Sequence, residues 1–200
     1  MTAARTGPGR PREFDEDAVL DAAGEAFLRR GYHATSLTDL TTATGLHRGS
    51  LYGAFGDKHR LFLAALRRHA RLAAAAVEDD LANAATPLEG IRALLLRQAR
   101  KAMQHMDECR GCLLANSTLE MLPGDEQVAG IIAGHYRWRE DRLTETLELA
   151  RAQGQSTAAP PRAFARYVGT VIEGLWQLGR TASDPRQLTE VAEAAMRALR

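Results

Sequence analysis

Two stretches of this 200-residue chain hold side chains whose types and spacing could do chemistry. In the first, His47-Arg48-Gly49-Ser50-Leu51-Tyr52, hydrogen-bonding groups are interleaved with small residues. If the stretch forms a short helix with Leu51 and Phe55 inward at i and i+4, then His47, Arg48, Gly49, Ser50 and Tyr52 face out. Such a face suits the major groove of DNA, where bulk blocks approach and an arginine can pair with a base edge. Ser50 beside His47 also suggests a nucleophile and its base. Both lie on an exposed helix, however, with no buried group to orient the base and no oxyanion hole. Lys58 adds a cation in the first turn of the next helix, where free backbone N–H groups and an ammonium can clamp a phosphate. Near the N-terminus, Arg10 and Arg12 sit in a polar tail with Gly7, Pro8, Gly9 and Pro11. They could lie in a minor groove or on phosphate, or be a solvated tail.

The second stretch is Cys109-Arg110-Gly111-Cys112-Leu113-Leu114. A thiol at a helix N-terminus beside an arginine is easier to ionise, and the thiolate is the reactive form. The i, i+3 spacing brings both cysteines within disulfide reach if both are helical. His105 precedes Cys109 by four residues and His135 lies far along the chain, but a metal centre would need more ligands than this spacing supplies. The plainer reading is a small buried thiol at Cys112 that lets its helix pack closely. Cys109, behind Asp107 and Glu108, is expected nearer the surface and more reactive. No metal and no cofactor is assigned. The chain has no GxSxG, no HExxH and no phosphate-binding glycine loop, so no enzyme is expected.

The elements that must position these residues read as helices throughout. Asp15 precedes a first helix with Val19, Ala22, Ala23, Ala26 and Phe27 inward, and Gly31 stops it. Ser36, with Asp39 three residues on, predicts a capped second helix to about Thr44, with Leu37, Leu40 and Ala43 as its buried stripe. Gly45 makes the turn and Leu46 plugs the core. A long fourth helix runs from Asp57 to about Ala85. Thr86-Pro87-Leu88-Glu89 restarts the chain into helix five, to about Met106. Helix six covers Cys112 to Leu122, helix seven Asp125 to near Gly154, helix eight about Pro161 to Arg180, and helix nine Asp184 to Leu199. No segment alternates like a strand. The fold class is all-α with about nine helices.

The run Gly9 to Phe62 resembles the DNA-binding domain of the tetracycline-repressor (TetR) family. The likeness rests on the GRPR arm, the first helix ending in Arg-Gly-Tyr, the Thr-Ser-Leu entry, and the Gly-Ser-Leu-Tyr-x-x-Phe-Gly-x-Lys exit. One departure is Gly53-Ala54, where many members carry an aromatic residue just before the phenylalanine. The DNA-contacting set expected on this reading is Arg10, Arg12, Thr35, Ser36, Thr44, His47, Arg48, Gly49, Ser50, Tyr52 and Lys58. The resemblance implies an arm over 1–13, a helix-turn-helix head over 14–60, and an effector-binding and dimerisation body over 61–200. It further implies a homodimer paired through helices eight and nine, with Val168, Val171, Ile172, Leu175, Val191 and Ala195 at the interface, though the same residues could form an ordinary intramolecular core. It also implies a small-molecule pocket among helices five to eight. The candidate lining is Met103, Met106, Cys109, Cys112, Asn116, Glu120, Tyr136, Trp138, Tyr167, Glu173 and Trp176, a stripe that could equally be core.

Charge is uneven along the chain. Residues 1–71 hold eleven Lys/Arg against eight Asp/Glu, while the remainder holds fifteen against seventeen. A basic head on a slightly acidic body fits contact with a polyanion at one end. No apolar run reaches the ~18 residues of a membrane span. The N-terminus lacks an apolar signal region, and two cysteines are too few for a secreted disulfide framework. The expected location is cytoplasmic, with no membrane partner. The function expected is a transcriptional repressor that a small molecule releases from a double-stranded, palindromic operator. The alternatives are an all-α small-molecule or partner-binding module that does not read DNA, and a thiol-based redox or electrophile sensor.

Overall fold

The computed structural model describes residues 14–104 and 111–199. Among them lie nine helices and no strand: α1 (Glu16–Arg30), α2 (Leu37–Thr44), α3 (Arg48–Phe55), α4 (Lys58–Ala82), α5 (Pro87–Gln104), α6 (Leu113–Met121), α7 (Glu126–Ala152), α8 (Pro161–Leu178) and α9 (Pro185–Arg197). Among the described residues no helix is long and apolar enough to cross a membrane.

Local hydrogen bonds set most of the boundaries. Asp15 Oδ1 accepts the N–H groups of Asp17 (2.9 Å) and Ala18 (3.3 Å), satisfying donors that the first turn of α1 leaves free. At α2 the capping box is complete: Ser36 Oγ accepts Asp39 N–H at 3.1 Å, and Ser36 N–H donates to Asp39 Oδ2 at 2.8 Å. Gly45 ends α2 at φ 69°, a left-handed conformation that a Cβ resists, and this turns the chain sharply into α3. Asp57, Asp125 and Asp184 cap α4, α7 and α9 in the same way as Asp15.

The chain packs around two hydrophobic clusters. The first closes the head with Leu20, Ala23 and Phe27 of α1, Leu40 of α2, Leu51 of α3 and Leu61, Phe62 and Leu66 of α4. The rings of Phe27 and Phe62 meet edge to face at 5.0 Å, with Tyr32 at 4.9 Å from Phe62. Leu20 takes the inward place expected of Ala22, which is half-buried. On α2 only Leu40 is fully buried, and Ala43 is exposed, because a helix of two turns presents one turn to the core. This cluster also includes Leu113, Leu114 and Met121 of α6 and Val128 and Ile132 of α7. The head core therefore runs past the boundary expected at residue 60 and is roofed by the body.

The second cluster joins α4, α5, α7, α8 and α9 through Val77, Ile91, Leu95, Leu143, Leu147, Val168, Leu175 and Leu188, among others. α5 and α8 approach closely at Gly179, where an added Cβ would lie 2.8 Å from Ala102 Cβ and 3.0 Å from its carbonyl oxygen. Two unbroken helices supply residues to both clusters among the described residues: α4, with Leu61 to Leu66 in the first and Val77 in the second, and α7, with Val128 and Ile132 in the first and Leu143 and Leu147 in the second.

Candidate nucleic-acid interface and body cavity

Leu51 anchors α3 in the head core, with Leu46, Tyr52 and Phe55 packed partly against it. The other side of α3 is exposed at His47, Arg48, Gly49, Ser50 and Gly53. A Cβ added at Gly49 or Gly53 would meet nothing within 4 Å, so this face is bare of bulk. His47 is the N-cap and makes no side-chain capping bond, which leaves its ring uncommitted to the helix. The Arg48 guanidinium lies 5.9 Å from the Tyr52 ring centre, one turn along, a cation–π contact that steadies it at the rim. Tyr52 is half-buried rather than fully outward, since its ring also packs on the core.

Four other residues expected at the DNA are tied up within the head to different degrees. Thr35 is only 1% exposed, and its hydroxyl donates to Gly31 O at 2.5 Å. It faces the head core because it closes the α1–α2 turn from inside, and this corrects the expectation of an outward threonine. Thr44 is half-buried and back-bonds to Leu40 O at 2.7 Å. Ser36 is exposed, with its hydroxyl donating to Asp39 Oδ2 at 2.7 Å. Lys58 Nζ donates to His33 O at 3.3 Å and sits 4.6 Å from the Tyr32 ring centre. An ammonium has three donors, so two remain for another acceptor. Arg10 and Arg12 lie outside the described residues.

Among the polar contacts that fasten the head to the body, two reach α6 and the start of α7. The Glu120 carboxylate of α6 accepts the N–H groups of Tyr32 and His33, both at 2.8 Å, just past the end of α1. At the second, His59 Nε2 of α4 lies 2.6 Å from Asp125 Oδ2, whose other oxygen caps α7. Bonds from the Val128 N–H, then from His59, hold the Asp125 carboxyl below the usual carboxylate range. Glu120 was expected in the pocket. It serves this clasp instead, a role invisible to sequence because its partners are 87 and 88 residues away.

A cavity of about 290 Å³ lies in the body, lined from α1, α4, α5, the start of α6, α7 and α8. Of the expected residues, Cys112, Tyr136, Glu173 and Trp176 line it. Met103 and Trp138 pack instead against the body core. Asn116 Oδ1 accepts from Arg180 Nη1 at 2.9 Å, and Tyr167 is 40% exposed on the outer side of α8. Met106 and Cys109 lie outside the described residues, as does His105, so the pairing of Cys109 with Cys112 has no geometry here. Among the described residues no three His, Cys, Asp or Glu side chains converge to hold a metal. Burial pushes the Cys112 thiol up from its ordinary value, away from the thiolate.

The expected set missed the polar half of the lining: His69, Arg97, Gln98, Lys101, Gln104, His135 and Arg139. Burial, then the Lys101 charge, pulls His69 down to about 4; burial, then Arg139, does the same to His135. Both imidazoles are neutral at physiological pH. Arg139 Nη1 donates to Glu173 Oε1 at 2.9 Å, and Tyr136 OH donates to Glu173 Oε2 at 3.2 Å. Trp176 Nε1 donates to Gln98 Oε1 at 3.0 Å. A signal for some of these residues existed. His69, Ala73 and Val77 fall at i, i+4 and i+8 on α4, which puts a histidine in line with an apolar face.

The residues expected at a dimer interface divide in two. Val168, Ile172, Leu175 and Ala195 are buried within the single chain, in the body core. Val171 and Val191 are half-buried at its edge. The inward stripe of α8 meets α5 and α7, and that of α9 meets α5, so these faces are already covered. Of the expected interface residues, Val168, Ile172, Leu175 and Ala195 are therefore covered within the chain, while Val171 and Val191 keep an outward side. The outward side of α8 carries Tyr167, Val171, Gly174 and Leu178 at spacings of 4, 3 and 4, and α9 carries Gln187, Val191, Ala194 and Ala198 at the same spacings.

Comparison with known proteins agrees with this geometry. The model of the family "Bacterial regulatory proteins, tetR family" matches residues 19–65, from α1 into α4. The HTH-type transcriptional repressor ComR of Escherichia coli is 30% identical over 193 residues, covering 94% of this chain and 90% of that protein. An uncharacterised HTH-type regulator of Bacillus subtilis, YezE, is also 30% identical, over 96% of this chain and 99% of its own. Among solved structures, a cysteine mutant of the TetR family regulator CifR, complexed with 26 bp operator DNA, superposes with a TM-score of 0.83 at 30% identity, covering 96% of this chain and 100% of that one. With this identity across head and body alike, and an exposed reading helix in the matched segment, the chain belongs to the TetR family of transcriptional regulators and is a DNA-binding regulator, not an enzyme.

Proposed function

We propose that this regulator is a repressor that binds a pseudo-palindromic operator as a homodimer and is released when a small molecule enters the body cavity. The observation that carries the release is the position of α4. Its N-terminal half packs under the reading head, and its residues His69, Leu72, Ala73 and Val77 form one wall of the cavity. A ligand pressing on that wall would tilt the head, aided by α6, whose start borders the cavity and whose Glu120 holds the α1–α2 turn. The operator sets the distance between two heads, about 34–36 Å per turn of DNA, so a few ångströms of mismatch weaken both half-sites. That CifR is complexed with operator DNA and that ComR is a repressor support the operator binding and the repression in this reading. The reading places the protein in the cytoplasm, and among the described residues no helix is long and apolar enough to cross a membrane.

In this reading Arg48 reaches base edges, His47, Gly49 and Ser50 line the approach, and Lys58 holds phosphate with its two remaining donors. The dimer forms through the outward stripes of α8 and α9, with Tyr167 and Leu178 as the large apolar contacts. Arg48→Ala is expected to cost about 1–3 kcal/mol of operator affinity and to relax base preference. The mechanism is tested by calorimetry of effector binding with and without saturating operator DNA. Coupling of a hundredfold is about 2.7 kcal/mol and must be reciprocal. Equal affinities in the two titrations end the release mechanism, and a monomeric mass by light scattering with and without DNA ends the dimer.

A further inference from the structure

Two contacts of the Lys58 ammonium come from one turn of chain. Its Nζ donates to the carbonyl oxygen of His33 at 3.3 Å and lies 4.6 Å from the centre of the Tyr32 ring. The backbone N–H groups of the same two residues donate to Glu120 of α6, Tyr32 to Oε2 and His33 to Oε1, each at 2.8 Å. The turn is shaped around that carboxylate. Gly31 enters it at φ 79°, and a Cβ added there would lie 2.8 Å from Glu120 Oε2 and 2.9 Å from Oε1. Bonds to both N–H groups fix the two peptide planes that lead into His33, and with them the place from which its carbonyl reaches Lys58. The Tyr32 ring is held separately, against Phe27 and Phe62. The carbonyl is therefore the contact that Glu120 governs.

We infer that Glu120 is a positioning residue for the phosphate clamp: through the Tyr32–His33 turn it holds the Lys58 ammonium where its two remaining donors meet DNA. The inference rests on the reading of Lys58 as a phosphate contact and deepens it, since it puts a residue of the body in control of a contact of the head. A lysine side chain has many rotamers, and fixing one of them on DNA costs entropy. A carbonyl and a ring that hold it beforehand lower that cost at the moment of binding. The same helix reaches the cavity. Cys112 and Leu114, at the start of α6, line it, and Glu120 lies less than two turns beyond Leu114. A shift of α6 at the cavity thus reaches the clamp without any tilt of α4. Charge alone predicts the opposite sign, because removing a carboxylate near a polyanion strengthens binding. Positioning predicts that its loss weakens binding.

The test is a double-mutant cycle on the full chain with Glu120→Ala and Lys58→Ala, read by fluorescence anisotropy. The probe is a labelled DNA duplex of mixed sequence, about 30 base pairs or three turns long, since a phosphate contact does not depend on the bases. Lys58→Ala should lower the salt slope by about one per head. Glu120→Ala is expected to weaken binding about threefold or more in the otherwise unaltered chain. In the Lys58→Ala chain it should weaken binding by less than about 1.5-fold, because no ammonium is left to misplace. Glu120→Gln removes the charge and keeps an acceptor for one N–H group. It should weaken binding in the same direction by less, and it keeps the test open if Glu120→Ala fails to fold. Equal weakening in both backgrounds overturns the inference and makes Glu120 a brace of the head alone. Binding that is unchanged or tighter in the Glu120 variants overturns it too, while leaving Lys58 a phosphate contact. If Lys58→Ala alters neither affinity nor slope, the phosphate reading of Lys58 fails and the inference falls with it.

Discussion

The head and the body are both helical, but they fill their interiors differently. The head is closed by aromatic rings and leucines, with Phe27, Phe62, Leu40 and Leu51 nearly inaccessible. Its buried polar group, Thr35, is satisfied by the turn it sits in. The body sets its apolar core beside a wall of Arg97, His69, His135 and Arg139. A short reading helix must be held in one geometry, and dense apolar packing does this because a well-packed core has few alternative arrangements. A ligand site needs the reverse, a space whose polar groups are incompletely met by the chain itself.

Four substitutions or conditions break or sharpen that contrast. The largest effect is expected at Phe62. Phe62→Ala removes a ring packed on Phe27 and Tyr32, and should cost about 3–5 kcal/mol in denaturant unfolding. A loss under about 1 kcal/mol would mean the head is loosely packed.

Next is pH. His69 and His135 are held near 4 in the folded chain, below the ordinary value of 6.5. The unfolded state therefore binds protons that the folded state refuses as pH falls below 6.5. Stability is at its plateau above that value and declines down to about 4. Between pH 6.5 and 5, ahead of the carboxylates, the loss should be on the order of 2–3 kcal/mol. A flat thermal midpoint across that interval would show that the body wall hydrates its histidines.

The clasp comes third. Glu120→Ala leaves two backbone N–H groups without their acceptor, at a cost of about 1–2 kcal/mol. The local readout is faster amide hydrogen exchange at Tyr32 and His33, and unchanged exchange there would place the join between the two regions elsewhere. The smallest effect is at Lys58. Lys58→Ala should reduce the slope of log affinity against log salt by about one per head, equally for all DNA sequences. An unchanged slope would mean the ammonium stays on His33 and Tyr32.

The sequence by itself determined the helices and the reading head. Capping pairs such as Ser36 with Asp39, the turn at Gly45, and the i, i+4 pair Leu51 and Phe55 act within a few residues, so their physics is complete in a short stretch of chain. The exposed set His47, Arg48, Gly49 and Ser50 follows from that pattern alone. Tertiary structure decided the rest. A 3.6-residue period says that α8 has a buried face, but not whether that face meets its own chain or a partner. Packing against α5 and α7 placed Val168, Ile172 and Leu175 inside, and left Tyr167 and Leu178 outside. The same holds for charge. Arg97 carries no signal of its own and Glu120 reads as a pocket residue until Asp80 and the Tyr32 and His33 amides come beside them, because an ion pair or a clasp between distant segments exists only once the helices have packed.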